Sequence, residues 1–302
     1  MKTIKFFLYF LVMAFTLSFV SSCGDDEEDL PAIGGYNNAD EVGASSLLAY
    51  WPMDGNGTES ISNTPSSSST GVSFVDGGVK GKAASFAEGY LAYPSIAALT
   101  SMSDATVSMW IKISNNGSTP SMFFQMTRED SETAYAWAGN INVMAETGWR
   151  AATNDSVTVK GYVQIKKDDG GVNGQDIINS INPNAAALEA GSFAAPNKIG
   201  GTGEWAHLVW TWDSTKGAHY LYVNGVKISD PRWEVRNGGD PLALNFFTPT
   251  TPLIGTFGSV IKGTPDSWQK SLTGEIDELR VWNKTLSSAD INSLYELEKA
   301  GR

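Results

Sequence analysis

Three carboxylates close together in the sequence are the groups best suited to chemistry. Glu275, Asp277 and Glu278 lie within four consecutive residues. Hydrolysis of a glycosidic bond with retained configuration needs two carboxylates about 5 Å apart, one as nucleophile and one as acid. Because side chains alternate along a strand, Asp277 is expected on the inward face with Leu279. Glu278 then shares the opposite face with Arg280, where the two can pair. An inward carboxylate is costly unless a cation or several hydrogen-bond donors compensate it, and both environments are open for Asp277.

Tryptophans in irregular segments are a second set of candidate functional residues. Residues 114–204 and 230–270 contain many turn signals and few regular strand patterns. Their tryptophans are expected on loops, where binding is common, because the C–H faces of sugars stack on indole rings. Tryptophans in regular strand patterns are expected in the core or in structural roles. The loop candidates are Trp137, Trp149, Trp233 and Trp268, and the strand tryptophans are Trp51, Trp110, Trp210, Trp212 and Trp282.

The first thirty residues have the charge layout of a secretory signal. Lys2 and Lys5 precede an apolar run at residues 6–20, which is too short to span a bilayer as a helix. Small residues lead to the only cysteine, Cys23, and an acidic run follows at residues 25–29. The segment resembles a bacterial lipoprotein signal, in which cleavage precedes the cysteine and the thiol is acylated. The acidic run is similar to the export signal of surface lipoproteins in the Bacteroides group. An ordinary signal peptide with a chance cysteine is the alternative.

This N-terminus predicts the organisation of the chain and its location. Residues 1–22 are expected to be a lipoprotein signal peptide. Residues 23–45 are expected to be the acylated cysteine and a flexible acidic tether. The protein is then anchored by lipid in the outer membrane and faces the cell exterior. Firm anchoring implies several acyl groups, because one chain binds weakly.

The charge balance excludes one large class of partner. The formal net charge is −12, and removal of residues 1–22 takes away two lysines and no acidic residue, which gives about −14. Nucleic-acid binding depends on clustered Lys and Arg, so no nucleic-acid partner is expected. The 2 histidines and the acylated cysteine make no good zinc or thiol site. Any metal would therefore be one that prefers oxygen ligands.

Strand patterns dominate the rest of the chain. Residues 105–113 and 207–212 each place apolar side chains at every second position, as strands with one core face do. Asn224 and Gly225 lie between two strand patterns and predict a two-residue hairpin turn, in which both residues have positive φ. Ser287 is predicted as the N-cap of a short helix near the C-terminus. These elements predict an all-β fold with one C-terminal helix.

Four segments in this order resemble the laminin-G-like, concanavalin A-like lectin/glucanase superfamily. They are LAYWPMDGN (48–56), GKAASF with TVSMWIK (81–86 and 106–112), EWAHLVWTWD with LYVNG (204–213 and 221–225), and GEIDELRVWN (274–283). The resemblance implies that residues 46–302 form one domain, a jelly-roll β-sandwich of two antiparallel sheets. The superfamily serves many functions, so the fold alone does not decide what this chain does.

The resemblance also implies a structural calcium ion. Many relatives hold one between an aspartate of the last strand and oxygens near the first strand. The matching positions in this chain are Asp277 on one side and Asp54 and Asn56 on the other. Calcium binds six to eight such oxygens. The metal-free alternative is an Asp277 carboxylate that accepts hydrogen bonds from backbone N–H groups.

The same segment bears on catalysis. Residues 275–277, Glu-Ile-Asp, resemble the opening of the nucleophile strand in laminarinase-type glucanases. In that motif an apolar residue follows the aspartate, and a second glutamate closes the motif on the same face. Here Glu278 follows directly, then Leu279 and Arg280, so the closing acid is missing. The motif therefore predicts no catalysis by these residues.

Together these features predict a cell-surface lipoprotein whose lectin-like domain binds an extracellular neutral glycan without cleaving it. The acidic surface disfavours strongly anionic polysaccharides. One alternative is an adhesin that binds a surface protein, or a structural surface protein, on the same fold. Another is a glycoside hydrolase with its acids in the long loops.

Overall fold

A computed structural model describes residues 30–131, 134–179, 197–198 and 204–302, with residues 197–198 described by their backbone only. The predicted signal peptide, Cys23 and the acidic run at 25–29 lie outside the described residues. The folded domain is one compact unit, Ala32–Arg302. In the part of the chain that is described, no helix is both long enough and apolar enough to cross a bilayer.

The described residues of the domain contain seventeen strands. The first nine are β1 (Leu47–Trp51), β2 (Ser68–Asp76), β3 (Lys82–Ala92), β4 (Ala105–Lys112), β5 (Ser121–Met126), β6 (Glu129–Ser131), β7 (Ala134–Tyr135), β8 (Ile141–Ala145) and β9 (Ser156–Val157). The others are β10 (Val159–Lys166), β11 (Val172–Ile178), β12 (Asn197–Lys198), β13 (Ala206–Asp213), β14 (Ala218–Val223), β15 (Val226–Lys227), β16 (Pro252–Ile254) and β17 (Leu272–Trp282).

Helices are few and short. The α-helices are α1 (Pro231–Glu234), α2 (Gly258–Ile261) and α3 (Ser288–Lys299), and the 3-10 helices are Ala39–Glu41, Ala44–Ser46, Ala97–Leu99 and Thr147–Trp149. The Ser287 side chain accepts from the Asp290 backbone N–H while the Asp290 carboxylate accepts from the Ser287 N–H, which makes a capping box at the start of α3. The predicted C-terminal helix and its N-cap are confirmed.

Thirteen strands belong to one curled antiparallel sheet whose two halves face each other across the core. Eleven of them follow the order β11-β10-β8-β5-β16-β3-β17-β4-β13-β14-β15, with β1 paired to β17 and β2 paired to β3. The predicted all-β fold is confirmed. We call β17, β4, β13, β14 and β15 the first layer and β16, β5, β8, β10 and β11 the second layer. The two layers are continuous through β3, which pairs with both β16 and β17. The layers pack closely: a Cβ at Gly161 of β10 would lie 2.2 Å from Trp210 Cδ1 of β13, so only glycine fits there.

The predicted strands in the first layer have the expected faces. Val107, Met109 and Ile111 of β4 lie in the main core together with Trp210 and Trp212 of β13. The Asn224-Gly225 turn between β14 and β15 has φ angles of 50° and 77°, as a primed hairpin turn requires. These parts of the fold were predictable because one strand face is apolar and the other is not.

A bulge in β17 reverses the predicted facing of Asp277. Asp277 lies opposite Trp110 of β4, and Arg280 lies opposite Ser108. Three steps along β17 therefore correspond to two steps along β4. The extra residue is accommodated at Glu278, where φ is +50°. Because directly paired residues share a face, Asp277 lies on the outer face with Trp110 and not with Leu279 in the core. The expectation of an inward Asp277 is therefore wrong, since alternation breaks at the bulge.

Part of the predicted tether belongs to the domain. Ala39 and Val42 are buried, and they pack in a second apolar cluster with Trp282 and residues of α3. The Trp282 indole Nε1 donates to the Val42 carbonyl at 3.1 Å. The assignment of residues 23–45 to a tether is wrong for residues 32–45, because these pack against the outer face of β17.

The segment 114–204 is more regular than predicted. It contains β5 to β12, and β5, β8 and β10 are central strands of the second layer. Both strands carry apolar side chains on each face: Phe124 and Val143 lie in the main core, whereas Met122 and Met144 pack in an outer cluster with Phe257. Neither strand therefore shows the apolar–polar alternation of a half-exposed strand.

Candidate functional site

Four polar side chains form a row across the outer face of the second layer. Gln125 of β5 lies opposite Asn142 of β8, Asn142 lies opposite Tyr162 of β10, and Tyr162 lies opposite Asp176 of β11. Paired residues share a face, so the row runs straight across four strands. Ile141 and Val143 flank Asn142 and point into the core, which fixes the row on the outer side.

The loop before β8 is fixed to this row by hydrogen bonds. Gln125 Nε2 donates to the Trp137 carbonyl at 2.9 Å and to Asn142 Oδ1 at 2.7 Å. Asn142 Oδ1 also accepts from the Gly139 N–H, and Asn142 Nδ2 donates to the Gly139 and Tyr162 carbonyls. A Cβ at Gly139 would lie 1.9 Å from the Met126 carbonyl oxygen, so the close approach requires glycine. The two amides thus hold the backbone that carries Trp137.

Four aromatic side chains gather over the row, and we call Trp137, Tyr162, Phe257 and Trp268 the aromatic patch. Trp137 stacks on Tyr162 with centroids 5.6 Å apart and planes 6° apart. Trp268 meets Trp137 edge to face at 5.4 Å, and it meets Phe257 in the same way at 5.4 Å. Phe257 is buried, whereas Trp137, Tyr162 and Trp268 are half-buried and keep part of their surface accessible. The patch joins the two segments that the sequence marked as candidate binding loops.

The turn that carries Trp268 is tied to α2. Gln269 Oε1 accepts from Ser259 Oγ at 2.5 Å and from the Asp266 N–H at 3.0 Å. The Gly258 N–H at the start of α2 donates to Gln125 Oε1 at 2.6 Å. The same Gln125 therefore fixes the loop of Trp137 and the helix beside Trp268, so both indoles are pre-positioned.

A charged strip crosses the same face beside the patch. Lys160, two residues before Tyr162, has its Nζ 3.4 Å from Glu146 Oε1 and 4.0 Å from Asp176 Oδ2. Arg236 Nη2 lies 3.3 Å from Asp176 Oδ1. Burial raises the pKa of Glu146, and the Lys160 ammonium opposes that rise. The charges of the strip pair with one another, so the face carries balanced charge.

The other two predicted tryptophans lie elsewhere. Trp233 is in α1 and packs against the main core, and Arg236 covers its ring at 4.9 Å from the centroid. Trp149 ends the 3-10 helix after β8 and is half-buried. Among the described aromatic ring pairs, neither Trp233 nor Trp149 is paired with Trp137 or Trp268. The structure thus brings together two of the four loop tryptophans.

The predicted metal ligands do not form a cation site. Asp277 Oδ2 accepts from the backbone N–H groups of Val79 and Lys80 at 2.7 and 3.2 Å, and Oδ1 accepts from that of Glu278 at 3.0 Å. Burial, followed by the Glu278 charge, raises the pKa of Asp277 to about 7.

On the first-strand side, Asp54 Oδ1 accepts from the Lys82 N–H at 2.8 Å, and Asn56 Oδ1 accepts from the Thr58 N–H at 2.8 Å. The described residues contain no cluster of three or more His, Cys, Asp or Glu side chains suited to a metal. As placed here, these residues do not fit calcium, because both Asp277 oxygens, Asp54 Oδ1 and Asn56 Oδ1 accept backbone hydrogen bonds and calcium needs six to eight oxygens.

The remaining carboxylates of the 275–278 segment are also engaged. Glu278 is fully buried, accepts from the Tyr50 hydroxyl at 2.9 Å and pairs with Arg280 at 2.9 Å. Arg280 also pairs with Glu298 of α3. Glu275 forms an ion pair with Lys112 at 3.1 Å. None of these groups belongs to the aromatic patch.

The arrangement is suited to binding rather than to proton transfer. Half-exposed indole and phenol rings offer apolar faces, and the neighbouring amides and paired charges offer hydrogen bonds. Sequence reasoning missed Tyr162, Gln125 and Asn142. For Tyr162 a signal existed, because Val159, Val163 and Ile165 alternate around it, whereas the two amides are identified only by cross-strand pairing.

A family model confirms what these elements indicate. The model Laminin_G_3, described as the concanavalin A-like lectin/glucanases superfamily, matches residues 85–292. This chain belongs to that superfamily. The match covers β4 to β17, including every strand of the polar row, so the second layer is part of the concanavalin A-like lectin domain.

Individual relatives are distant. The chain is 30% identical over 102 residues to the pentraxin fusion protein of Xenopus laevis, and the match covers 32% of this chain and 22% of that protein. The chain thus spans about a fifth of that relative's length.

Two solved structures are similar. Domain 4 of AbnA, a GH43 extracellular arabinanase from Geobacillus stearothermophilus in complex with arabinotriose, is 18% identical with a TM-score of 0.47, over 82% of this chain and 98% of that chain. The botulinum neurotoxin serotype D ligand-binding domain in complex with N-acetylneuraminic acid is 15% identical with a TM-score of 0.47, over 85% of this chain and 52% of that chain.

Proposed function

We propose that this protein is a lipid-anchored, non-catalytic glycan-binding protein of the outer membrane that faces the cell exterior and captures a neutral polysaccharide. The observation that carries the proposal is the convergence of Trp137 and Trp268 over Tyr162, on a face fixed by Gln125 and Asn142.

The composition of the face favours a neutral sugar chain. Sugars present apolar C–H faces and hydroxyl groups together, and the patch offers rings beside amide groups. The charges next to the patch are Glu146, Lys160, Asp176 and Arg236, which balance in sign and pair with one another. An anionic ligand would also meet a chain with a net charge of −12.

The burial of the candidate catalytic acids favours binding without cleavage. Asp277 and Glu278 are both fully buried, and each is saturated by protein partners. A glycosidic bond cannot reach them without unfolding of the loop at Val79 and Lys80. Glu146 and Asp176 do lie near the patch, but Lys160 lies between them and forms an ion pair with each. The lysine side chain thus takes the place between the two carboxylates where a glycosidic bond would have to lie.

The anchor rests on the N-terminal sequence. Cys23 follows small residues after a short apolar run, which supports cleavage before Cys23 and acylation of its thiol. The tether is then residues 24–31, because the domain begins at Ala32. A fully extended chain of this length spans at most about 28 Å.

Native affinity electrophoresis of the purified full chain tests the function. The gels contain neutral polysaccharides, namely arabinan, xylan, laminarin or mannan, with an anionic pectin as comparison. We expect retarded migration in at least one neutral gel and release of no reducing sugar from the same polymer.

Two results would redirect the proposal. Release of reducing sugar that stops in Glu146→Gln would favour the hydrolase alternative. Unretarded migration in every gel would overturn glycan capture and favour the protein-binding adhesin.

A further inference from the structure

A cavity of about 800 Å³ lies at the end of the domain where β4 leads into β5. Its walls come from β3, β17 and the 113–121 loop, and its floor includes Phe86 and Ile113, which belong to the main core. Small-molecule sites have volumes of about 300–1,000 Å³, so this cavity holds a short ligand or the end of a longer one.

Charged groups on the cavity wall balance. Lys112 and Glu275 form an ion pair at 3.1 Å, and Ser85 lies opposite Glu275 on the neighbouring strand. Lys270 and Glu88 add one further charge of each sign. Four charges that sum to zero favour a neutral ligand over an anion or a cation.

The 113–121 loop that lines the cavity contains a buried asparagine with an unpaired acceptor. Asn115 is 2% exposed and donates from Nδ2 to the carbonyls of Asn154 and Ser156 at 2.7 and 3.0 Å. Its Oδ1 atom is buried and finds no donor among the residues that the structure describes. A buried acceptor without a donor is costly, and the two donated hydrogen bonds of Nδ2 hold the side chain in place. Asn115 lines the cavity.

Hydroxyl groups dominate the rest of the lining. They belong to Ser85, Ser114, Ser118, Thr119, Ser121, Ser271 and Thr273. Each hydroxyl both donates and accepts, which matches the hydroxyl groups of a sugar. Phe86, Ile113 and Pro120 supply the apolar surface that a sugar ring requires.

The cavity borders the aromatic patch at two points in the chain. Ser121 lines the cavity, and the next residue, Met122, packs with Trp137 and Trp268. Lys270 lines the cavity two residues after Trp268. The cavity therefore lies next to both segments that carry the indoles of the patch, within two residues along the chain at each point.

We propose that this cavity is a subsite for the end of a neutral glycan, whose preceding sugars stack on the aromatic patch. The inference rests on the proposed glycan binding. It adds that the protein recognises a chain end, with the hydroxyl groups of the lining as partners of the terminal sugar.

Two substitutions in the full chain test the cavity. Ser85→Tyr fills it, and Ser69→Tyr is the matched control, because Ser69 is exposed on the adjacent strand β2 and lies outside the lining. Thr273→Val removes one hydroxyl from an exposed position and keeps the shape of the side chain. The probes are the retained polysaccharide among arabinan, xylan, laminarin and mannan, and its oligosaccharides of about two to eight sugars.

We expect Ser85→Tyr to weaken oligosaccharide binding at least about tenfold and Thr273→Val several-fold in isothermal titration calorimetry, with no effect of Ser69→Tyr. We also expect at most two wild-type protein molecules to bind each linear polysaccharide, because a linear polysaccharide has two ends. If Ser85→Tyr fails to fold, Thr273→Val decides.

The outcomes separate the two proposals. Loss of binding in Trp137→Ala with full binding in Ser85→Tyr and Thr273→Val overturns the cavity subsite and leaves glycan capture intact. Many protein molecules bound along each polysaccharide chain would also overturn it. No binding of any probe by the wild-type chain overturns both proposals.

Discussion

Arg280 and Glu278 form an ion pair in β17, with Nη2 2.9 Å from Oε2 and both side chains fully buried. The same guanidinium pairs with Asp40 at 2.9 Å and with Glu298 of α3, and it stacks on the Tyr50 ring at 4.1 Å from the centroid. Glu298 also accepts from the Trp110 indole at 2.7 Å. This one arginine therefore joins the N-terminal segment, the last strand and the C-terminal helix on the outer face of the first layer.

Replacing Arg280 should destabilise the whole domain. Arg280→Met keeps much of the side-chain volume but leaves the Glu298 carboxylate buried without its cation, and it leaves Glu278 with Lys80 alone, 3.6 Å away. Breaking a buried ion pair from one side costs about 3–5 kcal/mol, and urea unfolding measures that loss. Lys82→Met is the control, since Lys82 and Asp76 pair at 2.6 Å with side chains 44% and 91% exposed. An equal effect of the two substitutions would contradict the structural role of Arg280.

The sequence predicted those strands that have one apolar face. β4, β13 and the β14–β15 hairpin alternate clearly, and their core faces are as predicted. β5 and β8 were missed because both of their faces carry apolar side chains, which removes the alternation on which the prediction depends. The extent of the tether was wrong for a similar reason: short, small residues such as Ala39 pack well but give no periodic signal.

The candidate site was predictable only in part. Trp137 and Trp268 stood out as large aromatic residues between turn signals, but their meeting depends on the pairing of β5 with β8 and of β8 with β10. Long-range pairing is not encoded in local spacing. The prediction that Asp277 faces the core was wrong because of a single inserted residue, Glu278. One extra residue in a strand moves the side chains on one side of it to the opposite face.

Acid should destabilise the domain through its two histidines. His207 and His219 are fully buried, and burial lowers the pKa of each to about 3, with the charges of Arg280 and Arg236 acting in the same direction. Both are neutral in the folded state, whereas an unfolded histidine binds a proton near pH 6.5. The stability they contribute is therefore complete above pH ~6.5 and is lost as the pH falls towards ~3.

The expected loss is on the order of 4 kcal/mol per histidine across that range. Urea unfolding at several pH values measures it. His219→Gln should flatten the fall in unfolding free energy between pH ~6.5 and ~3, because one titrating group is gone. An unchanged slope in this variant would show that His219 does not remain neutral in the fold.

Calcium should have no effect on the stability of the metal-stripped domain. The Asp277 oxygens accept three backbone hydrogen bonds and are not free to bind calcium. Adding or removing calcium should therefore leave the fold unchanged. We expect equal melting temperatures with chelator and with millimolar calcium. A ligand that binds only the folded state raises stability by mass action, so a rise of several degrees that is absent in Asp277→Asn would restore the calcium site.

Surface display should depend on Cys23 and on the acidic run. Cys23→Ala should abolish labelling by a fatty-acid probe and should leave unprocessed or released protein. Replacing the five acidic residues at 25–29 with alanine should keep the lipid but reduce digestion by protease added to whole cells. Protection of the wild-type domain from such protease would contradict the proposed exterior location.

The loop tryptophans should differ in their effect on glycan binding. Trp137 stacks on Tyr162 and contacts Trp268, whereas the ring of Trp233 is covered by Arg236 against the main core. Trp137→Ala and Trp268→Ala should each weaken binding at least about tenfold, which corresponds to ~1.4 kcal/mol. Trp233→Ala should lower the melting temperature while leaving binding by the folded fraction unchanged.

Two measurements on the same samples separate these effects. Titration calorimetry with the retained polysaccharide gives affinity, and thermal unfolding gives stability. Trp137 and Trp268 pack with Met122, Met144 and Phe257 in a small outer cluster, whereas Trp233 packs against the main core, so truncation of either should move the melting temperature less than truncation of Trp233. A loss of affinity in Trp233→Ala, with Trp137→Ala and Trp268→Ala unaffected, would transfer the binding site to the α1 side of the domain.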